Sequence, residues 1–449
     1  MKKNIEKIER LERENARLNA LLGNNNNNSG IPTSKVNIGV KKRIPNSREK
    51  TGKAIGGQYG HKKHSLSKFK DEEITDTVIH QQTKCSCGCK DLEVLETIEK
   101  DVIDFKIITT KTRHKYNKCK CKKCNKVINA EIPKNQTAEC SYGENVKSLI
   151  LLMLNDTNAP FNKIRKLITG ITNDEINISE GYIAKLQKEC SKNLDSFIAN
   201  LKAQIITEEV LHWDDTVITI NAKNACFRFY GTNKFALYAS HLKKNKDGMD
   251  EDSIFKNLTS KTTLMHDHLT CNYNPDYLFN NAECNAHTIR ELKKVYEVYK
   301  NEWASKFIHM LVEAKENDFN FNIDKYYNEY DKLIEEGLTK YCKYTEYKNN
   351  IEYNLLNRLK KYKENHLMFL EDIRIPFTNN LAERSLRMCK SKMKVSGQFK
   401  NIDTARYYAN VRSYIETCIR HNINPYLTLS RLQKGNPLTI KELKKSVNL

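Results

Sequence analysis

"EEVLHWDDTVITI", residues 208–220, is where apolar residues stop recurring every three or four positions and take on a strand-like pattern. Upstream, NVKSLILLMLNDTNAPFNKIRKLITGI (145–171) and SEGYIAKLQKECSKNLDSFIANL (179–201) hold apolar positions at helical spacing. Residues 139–205 therefore predict a small helical domain, either a helix–turn–helix DNA reader or plain core helices. Downstream, ACFRFYGT (225–232) and FALYASH (235–241) read as further strands joined by tight turns. A helical piece near 251–258 precedes another short apolar strand, TTLMHDH (262–268). From 284 to about 370 the chain reads as helix, rich in Lys and Tyr, and further helices cover Glu383 and residues 403–422. The order predicts an α/β fold with a long helical stretch between its strands and its last helices.

Two of these strands each end in an acid: Asp214, with Asp215 beside it, and Asp267. A third acid, Glu383, is the lone carboxylate of a basic and apolar run, PFTNNLAERSLRMCKSKMKVSGQF (376–399). Carboxylates from neighbouring strand ends and one helix suit a pair of divalent ions, because Asp and Glu are hard oxygen ligands of the kind Mg²⁺ prefers. Glu383 also stands three residues after Asn380, the spacing of a capping box. On a helical wheel, Ala382, Leu386, Cys389 and Met393 form an apolar stripe. Glu383, Arg387, Lys390 and Lys394 form a parallel one, an acid at the head of a basic row suited to DNA phosphates.

The totals agree with a polyanionic partner. Across 449 residues, 76 Lys and Arg against 55 Asp and Glu leave a net charge of +21, which favours nucleic acid over membrane because the lysines are spread widely. No apolar run approaches the 18 residues of a membrane span and the N-terminus is charged, so a soluble cytoplasmic protein is expected. Residues 1–22 place Ile8, Leu11, Asn15, Leu18 and Leu22 at coiled-coil spacing, with a polar Asn15 that favours a parallel dimer. Residues 23–70 read as a flexible basic linker. Six of the 14 cysteines cluster in KCSCGCKDL (84–92) and KCKCKKCNK (118–126), on either side of the strand-like DVIDFKIITTKTRHKY (101–116). Two knuckles flanking a hairpin predict a zinc ribbon over 75–132, with Cys85, Cys87, Cys121 and Cys124 as ligands and Cys89 and Cys119 in reserve. Four sulfurs leave no open position, so such a Zn²⁺ is structural.

These residues, in order, resemble the transposases of the insertion sequence 66 family along nearly the whole chain. NNNNNSGIPTSK and GGQYGHKKHSL are similar to two segments of its N-terminal part, with Tyr59 where the family has Pro. The cysteine knuckles resemble its zinc-finger segment. LHWDDTVITI, LMHDH, AECNAHTIREL and IPFTNNLAERSLRMCKSKMKVSGQF resemble its two strands, its CNAH helix and its last active-site helix. The resemblance implies an RNase H-like catalytic domain in two parts, 206–281 and 371–430, around a helical insertion at 282–370, with 431–449 as a tail. It implies DNA transposition by an Asp-Asp-Glu triad, Asp214, Asp267 and Glu383, with two Mg²⁺ ions. Asp215 falls where the family usually has Glu.

The same resemblance implies terminal inverted repeats and target DNA as partners, a dimer or larger assembly on DNA, and small accessory proteins of the same element. A nucleoid-associated bacterial protein is expected. Asn380, Arg384, Arg387, Lys390 and Lys394 are candidate DNA contacts. Cys284, His287 and Arg290, at i, i+3 and i+6 on one helix face, offer a Cys/His metal pair with no further ligand nearby in sequence, which favours packing or DNA contact for them. Two other functions fit the residues: an RNase H-like nuclease that cuts without strand transfer, and a non-catalytic DNA-binding remnant.

Overall fold

A computed structural model describes residues 66–133, 138–316, 322–341 and 350–446, with Leu11, Leu18 and Gly60. The coiled-coil spacing of 1–22, most of the basic linker with Tyr59, and the last three residues of the tail lie outside the described residues. The chain divides into two compact units, residues 45–113 and the remainder.

In the smaller unit the described residues form a 3-10 turn at Asp71–Glu73 and a tight turn at the first cysteines. There the Cys85 N–H donates to Cys89 O at 2.8 Å and the Gly88 N–H to Cys85 O at 2.9 Å. The strand expected over 101–116 does not form. Val102, Phe105 and Ile108 stay 86%, 79% and 78% exposed, because alternation makes a strand only where another strand accepts its hydrogen bonds and buries one face. The hairpin sits instead on the second knuckle, in the larger unit. Strands β1 (Lys118–Lys120) and β2 (Val127–Asn129) pair antiparallel around Cys121 and Cys124.

The rest of the larger unit begins with helices α1 (Glu144–Asn155), α2 (Phe161–Ile171), α3 (Glu180–Lys192) and α4 (Asp195–Ile205). The sheet follows: β3 (Val210–Ile220), β4 (Lys223–Gly231), β5 (Ala236–His241), the short helix α5 (Lys246–Glu251), β6 (Thr263–His266) and β7 (Asn280–Glu283). Its order is β5-β4-β3-β6-β7, antiparallel through the first three and parallel from β3 to β7. Next come α6 (Asn285–Tyr299), α7 (Glu302–Glu316), α8 (Ile323–Leu338), α9 (Ile351–Lys361) and α10 (Lys363–Leu367). Last are α11 (Asn380–Ser396), α12 (Ile402–Arg420), α13 (Pro425–Gln433) and α14 (Ile440–Ser446).

Period-2 alternation along β3 decides which helices cover which face. Leu211 and Trp213 point into a core shared with α1 to α4, α12 and α13. Ile218 and Ile220 point the other way, with Phe227 and Phe229, against Ala382, Leu386 and Cys389 of α11. The apolar stripe of α11 is thus its packed face, and each large side chain it helps bury is worth about 1.5–3 kcal/mol. α11 stops at Gly397, whose φ of +72° an L side chain rarely adopts and whose N–H closes on Met393 O at 2.8 Å. The chain then returns to the sheet: the Phe399 N–H donates to Thr219 O at 2.9 Å, and Gln398 Oε1 accepts from the Ala222 N–H at 2.7 Å. These bonds tie the C-terminal end of α11 to the β3–β4 turn. The edge strand β5 is covered by α12, where Ser413 and Thr417 hydroxyls accept the Tyr238 and Ala236 N–H groups.

Candidate active site

The register of the parallel strands explains why two distant acids become neighbours. His212 pairs with Met265, so Asp214 and Asp267, each two residues further on, come level. β3 does not end at Asp214 as the sequence suggests: it runs six residues beyond, because its antiparallel partner β4 outlasts β6. Asp214 lies on the face of β3 that meets α11. Asp215 points to the opposite face, where it pairs with Lys244 Nζ at 2.6 Å and accepts from Cys226 Sγ at 3.6 Å. Burial first, then the charges of Asp267 and Asp215, push the Asp214 carboxyl up to about 8, against the Asp215 N–H and Lys390.

β7 and α6 bring the next groups. His266 pairs with Glu283, and the Cys284 N–H donates to His266 O at 2.9 Å, so Cys284 starts α6 beside Asp267. One turn along, His287 Nδ1 stands 2.9 Å from Asp267 Oδ1, 3.4 Å from Cys284 Sγ and 3.8 Å from Glu383 Oε1. Arg290 Nη2 is 3.6 Å from the same Glu383 oxygen. Burial opposes a charge on His287, but Asp267 and Cys284 outweigh it and lift the ring to about 10. Sequence spacing left the Cys/His pair without further ligands; the fold supplies them from β6 and α11. One donor atom each of Asp267, Cys284, His287 and Glu383 lie within 4.8 Å of one another.

Glu383 does not close a capping box. The N-cap of α11 is Asn379, and its side chain is used elsewhere: Nδ2 donates to Trp213 O at 2.7 Å and Oδ1 accepts from His212 Nδ1 at 2.9 Å. Its backbone N–H donates to Cys284 Sγ at 3.2 Å. Fully buried, Asn379 fixes α11, β3 and α6 to one another around the acids. Sequence reasoning passed over it for the exposed Asn380, because nothing in the adjacent pair of Asn tells the buried one from the exposed one. A second missed group is Glu283, under the Asp267 loop, which accepts from His268 Nδ1 at 2.6 Å and from the Tyr273 hydroxyl. Burial would raise Glu283, but His268, His366 and His266 outweigh it and hold it at about 2.

The arrangement suits a cation. Asp267 Oδ1 and Glu383 Oε1 are buried, with the His287 ring and the Arg290 guanidinium as their only near neighbours of opposite charge among the described residues. Asn380, Arg384, Arg387, Lys390 and Lys394 are all exposed on α11, and among the described residues the four cations form no ion pair. Backbone N–H groups of Cys87 at the first cysteine knuckle and of Cys124 and Lys123 at the second draw the Cys85 and Cys121 thiols below their ordinary value. No helix among the described residues is long and apolar enough to cross a membrane.

No curated protein matches the chain. The model of the transposase IS66 family matches residues 139–407, from the first helices through the sheet, α6 and α11 and into α12. With more than half of its length matched, and with a mixed sheet and helices consistent with such a fold, the chain belongs to the IS66 family of transposases.

Proposed function

We propose that this transposase is a metal-dependent DNA strand transferase whose centre is Asp214, Asp267 and Glu383, binding the ends of its own element. What supports the reading is one observation: Asp214 and Asp267 come level on parallel strands, and Glu383 of α11 meets Asp267, one oxygen of each of these two being buried without a hydrogen bond. A site of that kind fits divalent ions with hard oxygen ligands, and Mg²⁺ is the ion we assign. When bound, such ions supply Lewis-acid activation of the attacking hydroxyl and charge stabilisation on the leaving oxygen. Asp214 and Asp267 hold them from the sheet, and Glu383 from the helix. Asn379 keeps the helix in register with the sheet. Arg384, Arg387, Lys390 and Lys394 bind the phosphodiester backbone and orient the strand along α11. In the first step water attacks a phosphodiester at the element's end and frees a 3′-hydroxyl. In the second that hydroxyl attacks target DNA and displaces a 3′-oxygen.

The same reading gives the cysteine knuckles a structural Zn²⁺-binding role, and at each by itself backbone N–H groups favour the thiolate, at Cys85 in one and Cys121 in the other. It also pairs two copies on DNA, because two ends are joined together.

The test is cleavage and joining of labelled DNA carrying the element's ends, with Mg²⁺, comparing the wild type with Glu383→Gln. We expect the variant to bind DNA and to do neither reaction. Full activity in Glu383→Gln overturns the assignment.

A further inference from the structure

The donors that converge on His287 are not the donors Mg²⁺ chooses. We propose that Asp267, Cys284, His287 and Glu383 form a second kind of site, for a thiophilic divalent cation of the Zn²⁺ class. The inference deepens the reading above and rests on it to the extent that Asp267 and Glu383 are shared.

Three observations carry it. The first is chemistry: a sulfur, an imidazole nitrogen and two carboxylate oxygens make a mixed set that Zn²⁺ and Co²⁺ accept and that an all-oxygen Mg²⁺ site lacks. The second is size. Ligand bonds of about 2.0–2.3 Å set the edges of a tetrahedron at roughly 3.3–3.8 Å. The measured separations from Nδ1 are 3.4 Å to sulfur, 3.8 Å to the Glu383 oxygen and 2.9 Å to the Asp267 oxygen. All four donors lie within 4.8 Å of one another, so shifts of up to about an ångström turn the cluster into a coordination shell. The third is satisfaction. One Nδ1–H cannot serve three acceptors, and both carboxylate oxygens are buried without a hydrogen bond.

The sulfur is also held in place. Cys284 is buried, and its Sγ accepts the Asn379 N–H, an outer contact of the kind that orients a metal ligand. Cation binding forms four bonds, from Sγ, Nδ1 and one oxygen of each carboxylate, and releases the protons on Sγ and Nδ1 to solvent. Four protein donors leave no open position. A Zn²⁺-class ion there occupies Asp267 and Glu383 at the expense of Mg²⁺, so it silences the site.

The experiment is a Co²⁺ titration of the full chain, read by thiolate-to-cobalt charge-transfer absorption and by the number of cobalt equivalents bound. Cysteines 85–124 contribute equally to the wild type and to variants at Cys284, so the difference spectrum isolates this site. We expect Cys284→Ser to lose one cobalt equivalent together with its share of the charge-transfer band. An identical stoichiometry and spectrum overturns the inference. Should Cys284→Ser misfold by circular dichroism, His287→Gln decides, because that ring is partly exposed: loss of one equivalent supports the site, and no loss overturns it. Asp214→Asn separates the two readings. It leaves all four donors in place and keeps the cobalt band, while its Mg²⁺-dependent cleavage reports on the proposed function alone.

Discussion

At the scale of the residue, the instructive pair is Asp214 and Asp215, adjacent acids with opposite fates. Alternation along β3 turns one to α11 and the other to Lys244 on the far face. Asp214→Asn should therefore lower Mg²⁺-dependent cleavage by roughly 10³-fold, the equivalent of the several kcal/mol a metal ligand supports. Asp215→Asn should leave cleavage within about tenfold and cost about 1 kcal/mol of stability, from a pair whose lysine is half exposed. Single-turnover cleavage and urea unfolding of both variants measure this, and the opposite ranking would mean that Asp215 is the acid that matters. The three acids stood out in the sequence through their place in strand- and helix-like stretches and through the family resemblance, although Asp214 lies within β3 and not at its end. Asn379 was not legible. Its partners, Trp213 and Cys284, lie 166 and 95 residues away, and only the packed fold sets it apart from Asn380.

At the scale of the element, α11 does three things on two stripes: one packs on the sheet, and the other carries Glu383 at the head of an open basic row. If the stripe tracks phosphates, Arg387→Ala and Lys394→Ala should each weaken binding to all sequences alike. Each should also reduce the slope of log affinity against log salt by about one. A change confined to the element's own ends would instead make them base readers. One lysine of α11 lies off the stripe. Lys392 is buried, its ammonium 5.9 Å from the centre of the Tyr408 ring, and burial brings it down from 10.5 to about 8, against the pull of Cys389. Between those values the folded protein binds fewer protons than the unfolded chain, so stability should rise with pH from about 8 to 10.5. Below about pH 8 the full penalty applies, about 3 kcal/mol before the ring's attraction is counted. Lys392→Met should stabilise the protein at pH 7 by about 1–3 kcal/mol and flatten that rise, as followed by urea unfolding across pH. Equal stability at pH 7 would show the ammonium to be well solvated. Helical periods such as that of α11 survive from sequence to structure because a helix makes its own hydrogen bonds. The stretch 101–116 misled because a strand depends on a partner that no local pattern reveals.

At the scale of the whole molecule, the helices before the sheet are not an appendage. Ile150, Leu151, Ile183 and Leu201 share one core with Leu211 and Trp213 of β3, Tyr414 and Ile415 of α12, and Leu429 of α13. Polar bonds follow the same route. Arg412 of α12 donates to Asn155 O and to Asp156, the Tyr408 hydroxyl donates to Asn158 Oδ1 at 2.8 Å, and Gln187 donates to Tyr407 O. The sequence showed only that residues 139–205 are helical, since apolar spacing reveals that a face will be buried but not against what. The family match spans the same helices and the sheet without a break. If the helices read DNA, they do so as a fixed wall of the catalytic body. A fragment of residues 139–205 alone keeps its apolar stripes but loses the sheet and α12 that cover them, and short helices without tertiary packing are marginal in water. We expect that fragment to show little helix by circular dichroism and no cooperative thermal transition. A fragment of residues 138–446 should melt cooperatively, with probes in α3 and in β3 reporting one transition. Two separate transitions, or a folded 139–205, would make the helical segment an independent module, able to bind an element end while the catalytic body stays free.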